Sequence, residues 1–160
     1  MLRELQVIGN KNVDAMYKAG AAMETGMGVV KSFADKTAEF PAAAASTNIF
    51  FVEKERVPTG LNAAKKDMSD YDDNFVKIAE GEMVELIAPV TGERYAVEAY
   101  VKTGLSEGDF LEVGTDGKWK KAAAATKFIY GGEYADNGHT LAIIEIGDIA
   151  AAAAAAEGGN

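Results

Sequence analysis

The sequence predicts a mainly β fold: a small antiparallel β-barrel or sandwich with an irregular N-terminal arm and a short helical element. Three observations predict it. Asp116 and Gly117 sit between two runs of β-forming residues, a strong short-range hairpin signal because glycine takes a positive φ without steric cost. Arg94 to Lys102 alternates strictly, with Tyr95, Val97, Ala99 and Val101 on one face, as a half-buried strand does. Short apolar runs separated by Gly, Pro, Asn and Asp recur to Ile146, and closing or covering their edges calls for a barrel or a sandwich.

Taken in order, residues 1–12 carry Leu2, Leu5, Val7 and Ile8 among polar neighbours. They predict a short strand or an arm that orders on a partner, since chain ends are mobile unless tied down. Val13, Met16, Tyr17 and Gly20 fit a helical spacing that Gly20 and Gly26 weaken, so 13–23 reads as irregular or a short helix. Residues 24–52 echo 107–130. Gly26–Lys31 sits against Gly108–Val113, the turn at Ala34–Lys36 against Asp116–Lys118, and the alanine run before Ile49–Phe51 against that before Phe128–Tyr130. The echo suggests two similar β-modules in one domain and not a solenoid.

Pro58 to Ser69 reads as one or two helical turns, and Asp70, Asp72 and Asp73 as a solvated acidic loop. That loop lacks the alternating ligands, central glycine and closing glutamate of an EF-hand. Strands are expected over Phe75–Ile78 and Gly81–Ala88, with a turn at Val90–Glu93. The hairpin has two conceivable registers. A three-residue loop, Thr115 to Gly117, sets Val113 opposite Trp119 and Glu112 opposite Lys120. It pairs like with like in polarity and opposite charges with each other, so it is preferred over the two-residue loop. Phe128 and Tyr130 then share one face of the next strand, Asp136–Gly138 turns, and Leu141–Ile146 is the last strand. One domain over 1–148 and an alanine-rich flexible tail over 149–160 complete the expectation, since isolated helices as short as the tail are marginal in water.

The 160 residues suffice for one real core, and the net charge is −9. That charge argues against nucleic acid, whose affinity comes largely from Lys and Arg on phosphates, and disfavours an anionic membrane. No apolar stretch approaches the ~20 residues that span a bilayer. No basic segment followed by an apolar run opens the chain, so synthesis in the cytoplasm without a secretory signal is expected. Cysteine is absent, which removes disulfides, thiolate metal sites and a cysteine nucleophile.

Catalysis finds little to build on. His139 is the only histidine and lies beside a turn, so it is read as an exposed loop residue and not part of a zinc site or triad. Gly26 and Gly28 lack the third glycine of a dinucleotide loop. Glu82 and Glu85 fall on opposite faces of a strand instead of converging as acid and base. The aromatic set Tyr95, Phe110, Trp119, Phe128 and Tyr130 has no basic groove around it, so core packing or a subunit interface is expected and not base stacking. The expectation is a protein that is not an enzyme and has no cofactor or metal.

Residues Met83–Ala88, Arg94–Val101, Leu105–Lys118 and Gly138–Ile146, within Phe75 to Asp148, resemble the small β-barrel decoration (cement) proteins of tailed-bacteriophage heads. The likeness lies in the order of strand, Gly-Asp-hydrophobic-x-Val, Asp-Gly-Lys, alanine run and strand, in an acidic, cysteine-free chain. It implies a structural protein on the outer surface of the virion head that bridges major capsid subunits and stabilises the lattice. Self-association, with trimers at three-fold positions, is implied as well, with no nucleic-acid or membrane partner. Leu2, Leu5, Val7 and Ile8 are then the candidate contacts to the capsid. The alternatives are a phage tail tube subunit, with Pro41 to Asp73 as its extended loop, and a glycan- or peptide-binding module using Tyr100, Trp119 or Tyr130.

Overall fold

The computed structural model describes residues 1–8, 13–55 and 71–148. Its strands are β1 (Leu2–Gln6), β2 (Val13–Ala19), β3 (Met23–Glu24), β4 (Gly28–Ser32), β5 (Thr37–Glu39), β6 (Phe50–Lys54), β7 (Lys77–Ile78), β8 (Met83–Ile87), β9 (Arg94–Val97), β10 (Leu111–Val113), β11 (Trp119–Lys121), β12 (Phe128–Asp136) and β13 (His139–Ile146). One short helix, α1 (Asp73–Val76), precedes β7. The mainly β, barrel-containing fold is the class the sequence predicts.

Strands β2-β5-β4-β6-β8 close a barrel, and β1-β9-β13-β12 form a four-stranded sheet beside it. The barrel is antiparallel except where β2 and β5 run parallel, with Lys18 opposite Thr37. Inside it pack Tyr17, Ala19, Val29, Ala38, Val52, Val84 and Leu86. Its outer wall contributes Phe51 and Ile87 to a second core shared with Leu2, Tyr95, Val97 and Ile144 of the sheet. Phe51 and Val52, neighbours in sequence, are thus buried on opposite faces of one strand.

The β10–β11 hairpin closes this second core in the preferred register: Glu112 faces Lys120 and Val113 faces Trp119. Gly114 N–H donates to the Lys118 carbonyl at 2.9 Å, leaving a three-residue loop whose Gly117 has φ 75°. Trp119 is fully buried, with its ring centroid 5.0 Å from Phe51 and 4.7 Å from Phe128. Its indole N–H donates to the Gly26 carbonyl at 3.0 Å, so the polar end of a buried indole is satisfied. Both echoed segments hold two hairpin strands and then a third. They pack on each other where Ala45 and Val113 exchange backbone hydrogen bonds of 2.9 and 2.8 Å. Gly28 N–H reaches the Gly117 carbonyl at 2.9 Å, and a Cβ at Gly28 would overlap the Val113 methyls.

Several elements differ from the sequence reading. Of the two readings of residues 1–12, the short strand holds for 2–6 and the irregular arm does not: Leu2 lies opposite Val97 and Glu4 opposite Tyr95. The segment 13–19 is a strand and not helical, with Asp14 opposite Leu86 and Tyr17 opposite Val84. Ala15 and Met16 together face Glu85 alone, and this bulge breaks the period-two pattern into something resembling a helical spacing. The strand expected over 94–102 ends at Val97. Its second face is covered as well, because Ala96 packs with Met1 and Leu141. The segment 41–73 is no single extended loop, since β6 within it lines the barrel. The helical expectation at 58–69, Asp70 and the tail at 149–160 lie outside the described residues.

Candidate interaction surface

The four N-terminal apolar residues separate. Leu2 is buried in the core shared by barrel and sheet. Leu5 packs, partly buried, against Met1, Ala96 and Leu141 on the sheet's other face. Val7 is half-buried, and Ile8 is exposed. Ile8 is fixed there by Glu93, a carboxylate buried in the turn between β8 and β9. Glu93 accepts the Val90 amide at 2.8 Å, the Ile8 amide at 3.3 Å and the Tyr95 hydroxyl at 2.7 Å. Burial and the Glu93 charge push the Tyr95 hydroxyl pKa well above its ordinary value, so it stays a donor. Ile8 and Val90 therefore stand as exposed apolar side chains on a turn whose backbone a buried carboxylate holds.

A second surface lies at one end of the barrel, and sequence reading missed it. Lys31 sits on the inward face of β4, where its ammonium bonds Asp14 at 2.7 Å and lies over the rings of Phe50 (4.3 Å) and Tyr17 (5.1 Å). Cation and rings attract through the ring quadrupole. The Lys31 ammonium in turn holds the Asp14 carboxyl below its usual range. Beside this plug is a shallow depression of about 320 Å³ lined by Val30, Lys31, Phe33, Thr47, Asn48 and Phe50. Phe33 in the β4–β5 turn is 74% exposed, and Met16 on the β2 bulge is 75% exposed, so neither belongs to a core. A phenylalanine beside a turn is the one sequence signal that pointed there.

The other candidates resolve into structure. Trp119 and Tyr130 are buried, which leaves Tyr100 as the accessible member of the suggested ligand-stacking set. Asp72 caps α1 by accepting the Asn74 amide at 2.8 Å, and Asp73 pairs with Lys77 at 2.9 Å. Glu82 accepts the Ala79 amide and pairs with Lys54 at 3.0 Å. His139 begins β13, half-exposed, with Nδ1 2.8 Å from Glu98 and its ring stacked 3.7 Å from Tyr71. The Tyr71 hydroxyl donates to Asp136 at 2.8 Å, and Arg3 Nε reaches the same carboxylate at 2.6 Å. Those two bonds hold the Asp136 carboxyl below its usual range. The group ties β1, the β12–β13 turn and the residues before α1 together. Among the described residues no cluster of three or more His, Asp or Glu is arranged to hold a metal ion.

The chemistry on offer is apolar contact from exposed side chains, Ile8 and Val90 beside the Glu93 turn, Phe33 in the β4–β5 turn, Met16 on the β2 bulge, and Val101 and Tyr134 elsewhere, in a chain of net charge −9. No protein-family model matches the chain, and no curated protein matches it.

Proposed function

We propose that this chain is a structural protein of a tailed-bacteriophage particle that adds to the outer surface of the head and bridges major capsid subunits. The observation that carries the reading is the resemblance within Phe75 to Asp148, whose segments contain β8, β9, β10 and β13: one wall strand of the barrel, two strands of the sheet, and the first strand of the hairpin. The acidic charge suits an outer position away from packaged DNA, since a net charge of −9 disfavours phosphate contacts. Exposed apolar side chains in more than one place, Ile8 with Val90 and Phe33 and Met16, suit a bridge between neighbouring subunits, since Phe and Met are among the residues enriched in interfaces.

Capsid contact on this reading runs through Ile8, Phe33 and Met16. Leu2 and Leu5 pack within the fold. The test mixes purified protein with expanded heads lacking it and measures co-sedimentation. Wild type is expected to saturate at a fixed ratio to the shell subunit, and Phe33→Asp and Ile8→Asp to lose binding while keeping the Trp119 emission of the folded chain. Failure of wild type to bind any head overturns the proposal. Assembly of the protein alone into rings or tubes would place it in the tail, and a glycan-dependent change in tryptophan emission would make it a ligand-binding module.

A further inference from the structure

The edge of the four-stranded sheet at β12 is only half covered. Tyr130 turns its backbone outward, where its N–H donates to the Asp109 carbonyl and its C=O accepts the Gly108 amide, both at 2.8 Å. A bulge at Gly131 and Gly132 follows, since Tyr130 faces Ile144 and the next pair is Glu133 with Ala142. Asp136 and His139 flank a two-residue turn with Asn137 at φ 47° and Gly138 at φ 84°, the type I′ geometry that makes the flanking pair hydrogen-bonded. Alternation back along the strand then directs the N–H and C=O of Ala135 and Glu133 away from β13. Among the described residues nothing pairs with them. Glu133, Tyr134 and Ala135 are all exposed, so the edge is open to solvent.

We propose that this edge is the dimer interface of the protein, formed by antiparallel pairing of Glu133–Ala135 with the same residues of a second copy. A second copy fits because the edge is self-complementary about a two-fold axis through Tyr134. Glu133 of one copy meets Ala135 of the other, both residues present outward N–H and C=O groups, and four backbone hydrogen bonds form. Tyr134 meets Tyr134, an aromatic pair of the kind that stabilises adjacent strands. The charge is right as well. In a chain of net charge −9, the carboxylates on this edge are already neutralised within the copy that carries them. Glu133 is held by Lys102 at 2.6 Å and by the Tyr100 hydroxyl at 3.1 Å, and Asp136 by Arg3 and Tyr71. No carboxylate faces its own copy directly across the axis. The product is a continuous eight-stranded sheet with β1 at both ends, and it follows from the edge itself whatever particle the protein serves.

Sedimentation equilibrium of the full chain, up to a few hundred micromolar, tests it together with three variants. Wild type is expected to dimerise with rising concentration. Ala135→Pro removes an N–H that the single chain does not use and blocks the approach, so dimerisation weakens by about tenfold or more. Tyr134→Cys introduces the only cysteine. Residues facing each other in a non-hydrogen-bonded pair are about 4.5 Å apart at Cα, within disulfide reach, so mild oxidation yields a covalent dimer. Glu133→Cys is displaced from its own copy by two residues and does not cross-link. Emission of the buried Trp119 checks that each variant is folded, and if Ala135→Pro does not fold the two cysteine variants decide. A chain that stays monomeric with no Tyr134→Cys cross-link, a dimer indifferent to Ala135→Pro, or equal cross-linking at both positions overturns the proposal.

Discussion

Replacing Trp119 by alanine removes the residue on which barrel, sheet and hairpin converge. Its ring contacts Phe51 and Phe128, and it is fully buried. Truncating a buried tryptophan costs about 3–5 kcal/mol. The Gly26 carbonyl also loses its donor, and a buried acceptor left unpaired adds about 1–3 kcal/mol. Against a domain stability of about 5–15 kcal/mol, the sum leaves the variant near its unfolding midpoint or past it. Trp119→Phe keeps an aromatic ring and isolates the hydrogen bond, so it is expected to lose about 2 kcal/mol. Urea unfolding followed by far-ultraviolet circular dichroism measures both without needing the indole. Lys120→Ala, on the solvent side of the same strand, is expected to change stability by less than about 0.5 kcal/mol. A loss below about 1 kcal/mol for Trp119→Ala, or a larger loss for Lys120→Ala, would show that the register argument assigns the faces wrongly.

Three further outcomes follow from other parts of the fold. Glu93→Ala strands the Tyr95 hydroxyl and the Ile8 and Val90 amides, and is expected to cost about 2–3 kcal/mol or more and to speed exchange of both amides, read by thermal unfolding and hydrogen exchange. Gly117→Ala and Gly138→Ala share a positive φ, 75° and 84°, and so a backbone cost of about 1–2 kcal/mol. Only at Gly117 would the new Cβ lie 2.5 Å from Phe40 Cε1, so its drop in melting temperature is expected to exceed that of Gly138→Ala, which meets open space. Asp14 and Asp136 both have carboxyl pKa values lowered in the folded state, by Lys31 and by Arg3 with Tyr71. Their contribution is therefore present above the ordinary aspartate pKa of about 3.9 and is lost as pH falls through the lowered values, so denaturant midpoints should fall below about pH 4, less steeply in Asp14→Asn and Asp136→Asn.

The parts of the fold legible in the sequence are those whose partners lie nearby. Val113 finds Trp119 across a three-residue loop, and Asp136 finds His139 across Asn137 and Gly138, so local turn chemistry and pairing polarity decide both registers. The strands left open or misread are those whose partners are distant. Leu2 pairs with Val97 and Val13 with Ile87, and nothing in either short segment announces a partner that far along the chain. At 13–19 the Ala15–Met16 bulge also puts Asp14 and Tyr17 on one face, three positions apart, which hides the alternation that marks a strand. Alternation over 94–97 identifies two faces without saying whether the second is covered; Ala96 lies on that second face, and Met1 and Leu141 cover it. The candidate surface was half legible. Ile8 is exposed, but Leu2 points into the core, and Phe33 and Met16 lie on a barrel that exists only once five strands from separate parts of the chain have closed.

The proposed place on a phage head fixes what the copy number of the protein in purified particles should be. Quantitative mass spectrometry against the most abundant shell protein is expected to give one copy per shell subunit or a simple fraction of it. A much smaller, ring-like multiple would assign the protein to the tail, and its absence from the particle would contradict a structural role in the virion altogether.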